Sequence, residues 1–239
     1  FMREGIEAPA TDFSINENSD YKAENVELFS DRVEYDLNGQ KVVFHIPGGF
    51  SVYNSLTAIS VVNNLGFDLE KVINAAFYAK SVSGRVEVLK TNTDFSVIID
   101  YAHSPDGLEK AINAVRGFTK GRVITLFGCG GDRDKTKRPK MGRIAAELSD
   151  IVVVTSDNPR TEEPEEIIKD ILEGIDGENK EIITITDRSE AIKKAISIAE
   201  KGDAILLAGK GHETYQVIGK ERVHYDEREV VAKVLEGGF

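Results

Sequence analysis

From about Gly84 onward, short apolar runs recur between stretches of helical period: Val97–Ile99, Val123–Phe127, Ile151–Val154, Ile182–Ile185 and Ala204–Leu207. Runs of this length bounded by turn residues are typical of strands buried on both faces of a parallel sheet. Between them, apolar positions three and four apart predict helices near Asp106–Phe118, Pro139–Leu148, Pro164–Gly174 and Ser189–Glu200, with a last one near Asp226–Leu235. Strands and helices alternating at this spacing imply an α/β fold, a Rossmann-like, mostly parallel sheet with helices on both faces.

The first part of the chain has a different pattern. Residues 1–23 are polar with little periodicity, and strand-like runs follow at Val26–Phe29, Val33–Leu37 and Val42–Ile46. Asn38-Gly39, between the last two, is a strong hairpin signal, because both residues accept the positive φ that a tight two-residue turn requires. Helical patterns then fall near Val52–Leu65 and Leu69–Ala79. A small antiparallel sheet plus a helix pair is expected over residues 1–84, followed by the parallel-sheet domain over 85–239. The first part reads as the tail of a domain that begins upstream of Phe1.

Charge narrows the choice of partners. Thirty Lys plus Arg against 41 Asp plus Glu leave a formal net charge of −11, which argues against nucleic acid or an anionic membrane as the main partner. Small anionic ligands held by a local basic cluster remain open. The single cysteine, Cys129, excludes an internal disulfide and suits a reducing compartment. No apolar run approaches the length of a bilayer span. A cytoplasmic protein, with no membrane and no nucleic-acid partner, is the expectation.

The polar residues cluster where the predicted strands end. Asp100-Tyr101-Ala102-His103-Ser104-Pro105 follows the first parallel strand, and Gly128-Cys129-Gly130-Gly131-Asp132-Arg133-Asp134-Lys135 follows the second. Ser156-Asp157-Asn158-Pro159-Arg160 follows the third, and Ala208-Gly209-Lys210-Gly211-His212-Glu213 the fifth. Ligands of open α/β sheets bind beyond the carboxyl ends of the strands, so four rich loops on one edge point to a single site. The loops do not form a phosphate cradle of the P-loop type. Lys135-Thr136 has the right ending, but Asp134 and Cys129 stand where the two glycines must be, and Gly209-Lys210 is followed by Gly211. The four histidines are scattered, so no zinc pattern forms. Cys129 could be a nucleophile or merely a small residue among glycines.

Together these four motifs resemble the Mur ligases, in order from about residue 20 to the end. The resemblance implies an ATP- and magnesium-dependent ligase of peptidoglycan assembly, important for cell wall, cell shape and division. Its members join an amino acid to UDP-MurNAc-L-Ala-D-Glu through an acyl phosphate. It also implies three domains, of which this chain would carry the end of the ATP-binding one and the whole C-terminal one. The UDP-binding domain, P-loop, metal ligands and catalytic groups would then lie upstream, leaving the fragment inactive alone and monomeric.

By the same resemblance, Arg160 grips the far carboxylate of meso-diaminopimelate, a task suited to a guanidinium fork. Asp157 and Asn158 belong to the same motif, with Asn158 adding a hydrogen bond. Glu213 pairs with the far ammonium, Gly209 offers backbone, and Arg133 holds the carboxylate at the reacting end. Asn54, Arg85, Asp100 and His103 match ATP contacts; Ser51 stands where the family has asparagine. The Asp-Asn-Pro-Arg motif resembles the diaminopimelate-adding type, since an arginine without a far carboxylate would be an unpaired charge. Lysine-adding ligases, a cyanophycin synthetase relative and a stand-alone amino-acid- or nucleotide-binding module are the alternatives. Each residue also has an ordinary reading. Asn158 suits a turn, Arg133 a surface ion-pair cluster, Glu213 a loop carboxylate, Asn54 a helix start and Arg85 a linker charge.

Overall fold

A computed structural model describes residues 10–175 and 181–237. These fall into two compact units divided between Ser81 and Val82, so Ser83-Gly84-Arg85 belongs to the second.

The first unit is a four-stranded sheet in the order β1 (Phe13–Ser14), β2 (Tyr21–Leu28), β3 (Val33–Leu37), β4 (Gln40–Phe44), with helices α1 (Phe50–Asn64) and α2 (Leu69–Ala76). Strands β3 and β4 form the expected hairpin, pairing Leu37 with Gln40 across Asn38 (φ 50°) and Gly39 (φ 75°). Alternation sends Val33, Tyr35 and Leu37 into a core shared with Val52, Leu56 and Ile59 of α1. The expected antiparallel sheet is in fact mixed, because β1 pairs with β2 in parallel. Two residues are too few to show a period, which is why the sequence pattern omits this strand.

The second unit is a six-stranded sheet in the order β5 (Glu87–Val88), β6 (Ser96–Asp100), β10 (Ala204–Ala208), β7 (Val123–Phe127), β8 (Ile151–Val154), β9 (Glu181–Thr184). All neighbours are parallel except β5, an antiparallel edge strand. Successive residues of each buried strand face opposite layers. Ile98, Val152 and Leu206 pack with α3 (Pro105–Arg116), α4 (Lys137–Leu148) and α5 (Pro164–Leu172). Val97, Ile99, Ile124 and Leu207 pack with α6 (Arg188–Ile198) and α7 (Glu227–Leu235). Both faces are therefore covered, as uninterrupted apolar strands require.

The edge strand β5 also goes unpredicted by the pattern, as does a two-stranded ribbon, β11 (Tyr215–Ile218) and β12 (Glu221–His224). Among the described residues, no helix is long and apolar enough to cross a membrane.

Candidate functional site

The parallel strands all end on one edge of the second unit, and their loops enclose a cleft of about 630 Å³. Arg133, Asp157, Asn158, Arg160, Gly209 and Glu213 all line it, as do Tyr101 and His103 from the β6 loop. The ribbon, which the sequence reading omits, contributes Tyr215, Val217, Lys220 and Arg222.

Arg160 is held in an unusual conformation. Its φ is 52°, a left-handed value that costs an arginine on the order of 1 kcal/mol or more unless its surroundings impose it. The ribbon imposes it here, since Arg160 N donates to Val217 O at 3.1 Å and Gly219 N donates to Arg160 O at 2.7 Å. Nη1 then donates to Gly131 O at 2.8 Å. A side chain at Gly130 would crowd that guanidinium, and one at Gly131 would overlap the Pro159 carbonyl. The glycines of the β7 loop thus make room for the β8 loop and its arginine.

Lys210 points inward, with its side chain fully buried. Its ammonium donates to Asn158 Oδ1 at 3.2 Å, Asp157 Oδ1 at 3.3 Å and Glu213 Oε2 at 3.5 Å. Asn158 Nδ2 donates to Glu213 Oε2 at 3.0 Å. One cation between two carboxylates leaves the cleft floor with one net negative charge, while Arg133, Lys137, Arg160, Lys220 and Arg222 line its walls. A floor that attracts an ammonium beneath walls that attract carboxylates suits a zwitterion with more than one carboxylate.

A second brace ties the β7 and β8 loops together. The buried Arg138 donates to Glu162 at 2.9 and 3.0 Å and to Asp170 at 2.7 Å. Asp132 N donates to Glu162 Oε1 at 2.6 Å. The hydrogen bond from Arg138, with help from Lys135, lowers the Glu162 carboxyl from 4.5 to about 2. The stability this group adds is fully present above pH 4.5 and is lost as the pH falls toward 2. Changing Glu162 to glutamine should therefore flatten the acid limb of a urea-midpoint profile between those values; an unchanged limb would remove Glu162 from the brace.

Cys129 is 2% exposed, and burial pushes its thiol up to about 12. Its Sγ packs 3.7 Å from Met141 Sδ. A thiolate is the reactive species, and burial disfavours it here, so the geometry gives Cys129 a packing role.

The expected nucleotide contacts are placed separately. Asn54 lies on an exposed face of α1, in the first unit, while the buried Ser51 donates to Pro47 O at 2.9 Å. In the second unit the Arg85 guanidinium carbon lies 5.1 Å from the centre of the Tyr101 ring, and His103 meets that ring at 4.8 Å. Asp100 accepts from Val86 N and Ala102 N, each at 2.8 Å, which braces the turn after β6. Burial nonetheless pushes its carboxyl up, against the pull of those two bonds.

Residues 84–211 match the family model described as "Mur ligase, glutamate ligase domain". The chain is 51% identical over 233 residues to the UDP-N-acetylmuramoyl-L-alanyl-D-glutamate–2,6-diaminopimelate ligase 1 of Clostridium acetobutylicum, covering 95% of this chain and 48% of that protein. It is 46% identical to the correspondingly named ligase of Clostridium perfringens, covering 98% and 49%. A solved structure of such a ligase superposes with a TM-score of 0.77 at 33% identity, over 95% of this chain and 47% of that one. The chain thus spans about half the length of the curated relatives it matches.

Proposed function

The chain belongs to the Mur ligase family, and from that premise we propose that its cleft holds meso-diaminopimelate for ligation to UDP-MurNAc-L-Ala-D-Glu in peptidoglycan synthesis. The observation that carries this reading is the pairing of Arg160 on the wall with the Lys210–Asp157–Glu213 floor. Arg160 and Asn158 take the far carboxylate, Glu213 the far ammonium, Gly209 lies alongside, and Arg133 takes the carboxylate next to the reacting amine. With both ends held, that amine is aimed at an activated carboxyl of the second substrate, and such alignment is a large share of the barrier in amide formation.

The residues up to about 84 serve, on this reading, as the end of an ATP-binding domain, and the rest as the amino-acid domain. Arg85, Asp100, His103 and Asn54 are assigned to ATP. ATP supplies the phosphoryl group that activates the carboxyl. The setting is the cytoplasm and the chain a monomer. Magnesium is assigned no residue of this chain; among the described residues no group of three or more His, Cys, Asp or Glu is arranged to hold a metal ion. No step is therefore assigned to it here.

A lysine-adding enzyme would leave Arg160 facing the far end of a substrate with no carboxylate there, a costly unpaired charge. Calorimetric titration with meso-diaminopimelate and with L-lysine tests the proposal. Binding of the first and rejection of the second are expected; preference for lysine overturns it.

A further inference from the structure

We propose that Lys210 is a positioning residue, the internal counter-ion that makes Asp157, Asn158 and Glu213 converge and so sets what the cleft offers to the ligand's far end. The proposal rests on the reading of the cleft as the diaminopimelate site.

Three oxygens from two separate loops lie within 3.5 Å of one ammonium nitrogen. An ammonium has three hydrogens to donate and accepts nothing, so the three acceptors match its capacity. Two of them are carboxylates, which at this spacing would repel each other without a cation between them. The ring of Tyr225, centred 5.7 Å from Nζ, covers another side of the charge.

The consequence reaches the ligand through Asn158. Its Oδ1 accepts from Lys210 and from Val217 N, the latter at 2.9 Å, which uses both lone pairs. Its Nδ2 gives one hydrogen to Glu213 and has a second to offer, and Asn158 lines the cleft. Turning the amide over would set donors against donors at Lys210 and Val217, and an oxygen against the Glu213 carboxylate. Asn158 is therefore held as a donor toward the cleft, complementary to a carboxylate, while Glu213 Oε1 is left for an ammonium. Lys210 touches neither ligand group but fixes both partners.

Lys210→Met, which removes the charge at similar length, tests this in the full chain. The first readout needs no ligand: the Asn158 side-chain amide in 15N spectra, identified by its loss in Asn158→Ser. Its hydrogens should exchange slowly with water and be shifted away from exposed-amide positions in the wild type, and should exchange fast near those positions in Lys210→Met. The second readout is meso-diaminopimelate affinity, expected to weaken by about tenfold, the equivalent of one charge-assisted hydrogen bond. Adding Asp157→Asn to Lys210→Met lessens the carboxylate repulsion and should recover part of that loss, which a mere packing role would not do. Lys210→Gln is the second variant should Lys210→Met fail to fold, and an intermediate result is expected of it. An unchanged amide signal and affinity in either variant overturn the proposal. A wild type that shows the ordered amide yet binds no diaminopimelate overturns the ligand reading instead, and leaves the positioning role standing.

Discussion

Arg160→Ala weakens meso-diaminopimelate binding by roughly two to three orders of magnitude and lessens the rejection of L-lysine. Truncating one side of a desolvated, hydrogen-bonded charge pair costs about 2–5 kcal/mol, and each 1.4 kcal/mol is a factor of about ten. Lysine has no group for Arg160 to hold and is spared the unpaired charge, so the two ligands should move in opposite directions. Arg160→Lys should rescue only part of the loss, because an ammonium cannot present the planar fork that a carboxylate matches. Arg160→Gly separates binding from folding. Its φ of 52° is one glycine accepts freely, so this variant should melt no lower than Arg160→Ala while binding as poorly. Calorimetry beside a thermal melt reads both quantities, and unchanged affinity in Arg160→Ala would sink the assignment.

Arg188→Met is the substitution with the largest expected cost to stability. Arg188 is fully buried: its Nε donates to Glu227 Oε1 at 2.9 Å, its Nη2 forms an ion pair with the same oxygen at 2.8 Å, and it also donates to Ala208 O at 3.0 Å and to Ser156 O at 3.3 Å. Removing it strands a carboxylate that is 1% exposed, a change that costs about 3–5 kcal/mol. For a unit of this size that corresponds to a fall of roughly 10 °C in melting temperature. The pairing of Arg188→Met with Glu227→Leu should return most of the stability, since an apolar pair of similar volume replaces a buried ion pair at little cost. Ser156 and Ala208 immediately precede Asp157 and Gly209, so the double variant should fold yet bind its ligand less tightly. Denaturant melts of the single and double variants decide the matter; a single variant as stable as the wild type would show that the pair contributes little.

The sheet was legible in the chain because burial on both faces forces strands into unbroken apolar runs such as Val123–Phe127 and Ile151–Val154. The position of the cleft was legible too, because four polar loops follow strands that share one direction. The ribbon was not recognised, although Gly219-Lys220 is a two-residue turn with glycine first, a recognised hairpin signal. Its strands are mostly exposed, so the alternation of apolar and polar residues is weak. Lys210 was missed for a different reason. A lysine between two glycines looks like a loop cation, and its burial depends on acceptors 52 and 53 residues away. The Arg138–Glu162 brace is equally non-local, with its partners 24 residues apart.

Strand β10 lies in the middle of its sheet, between β6 and β7, although it is the last of the parallel strands to be translated. Its register against β6 pairs Ala204 with Ser96 and Ala208 with Asp100. On the ribosome, β6 and β7 therefore wait with bare edges until the codons for Ala204–Ala208 have been read. Contacts so distant along the chain slow folding, and exposed strand edges invite aggregation. Nascent chains of this protein should thus depend on chaperones until late in synthesis, and the loop bearing Gly209, Lys210 and Glu213 completes the cleft only in the step that closes the sheet.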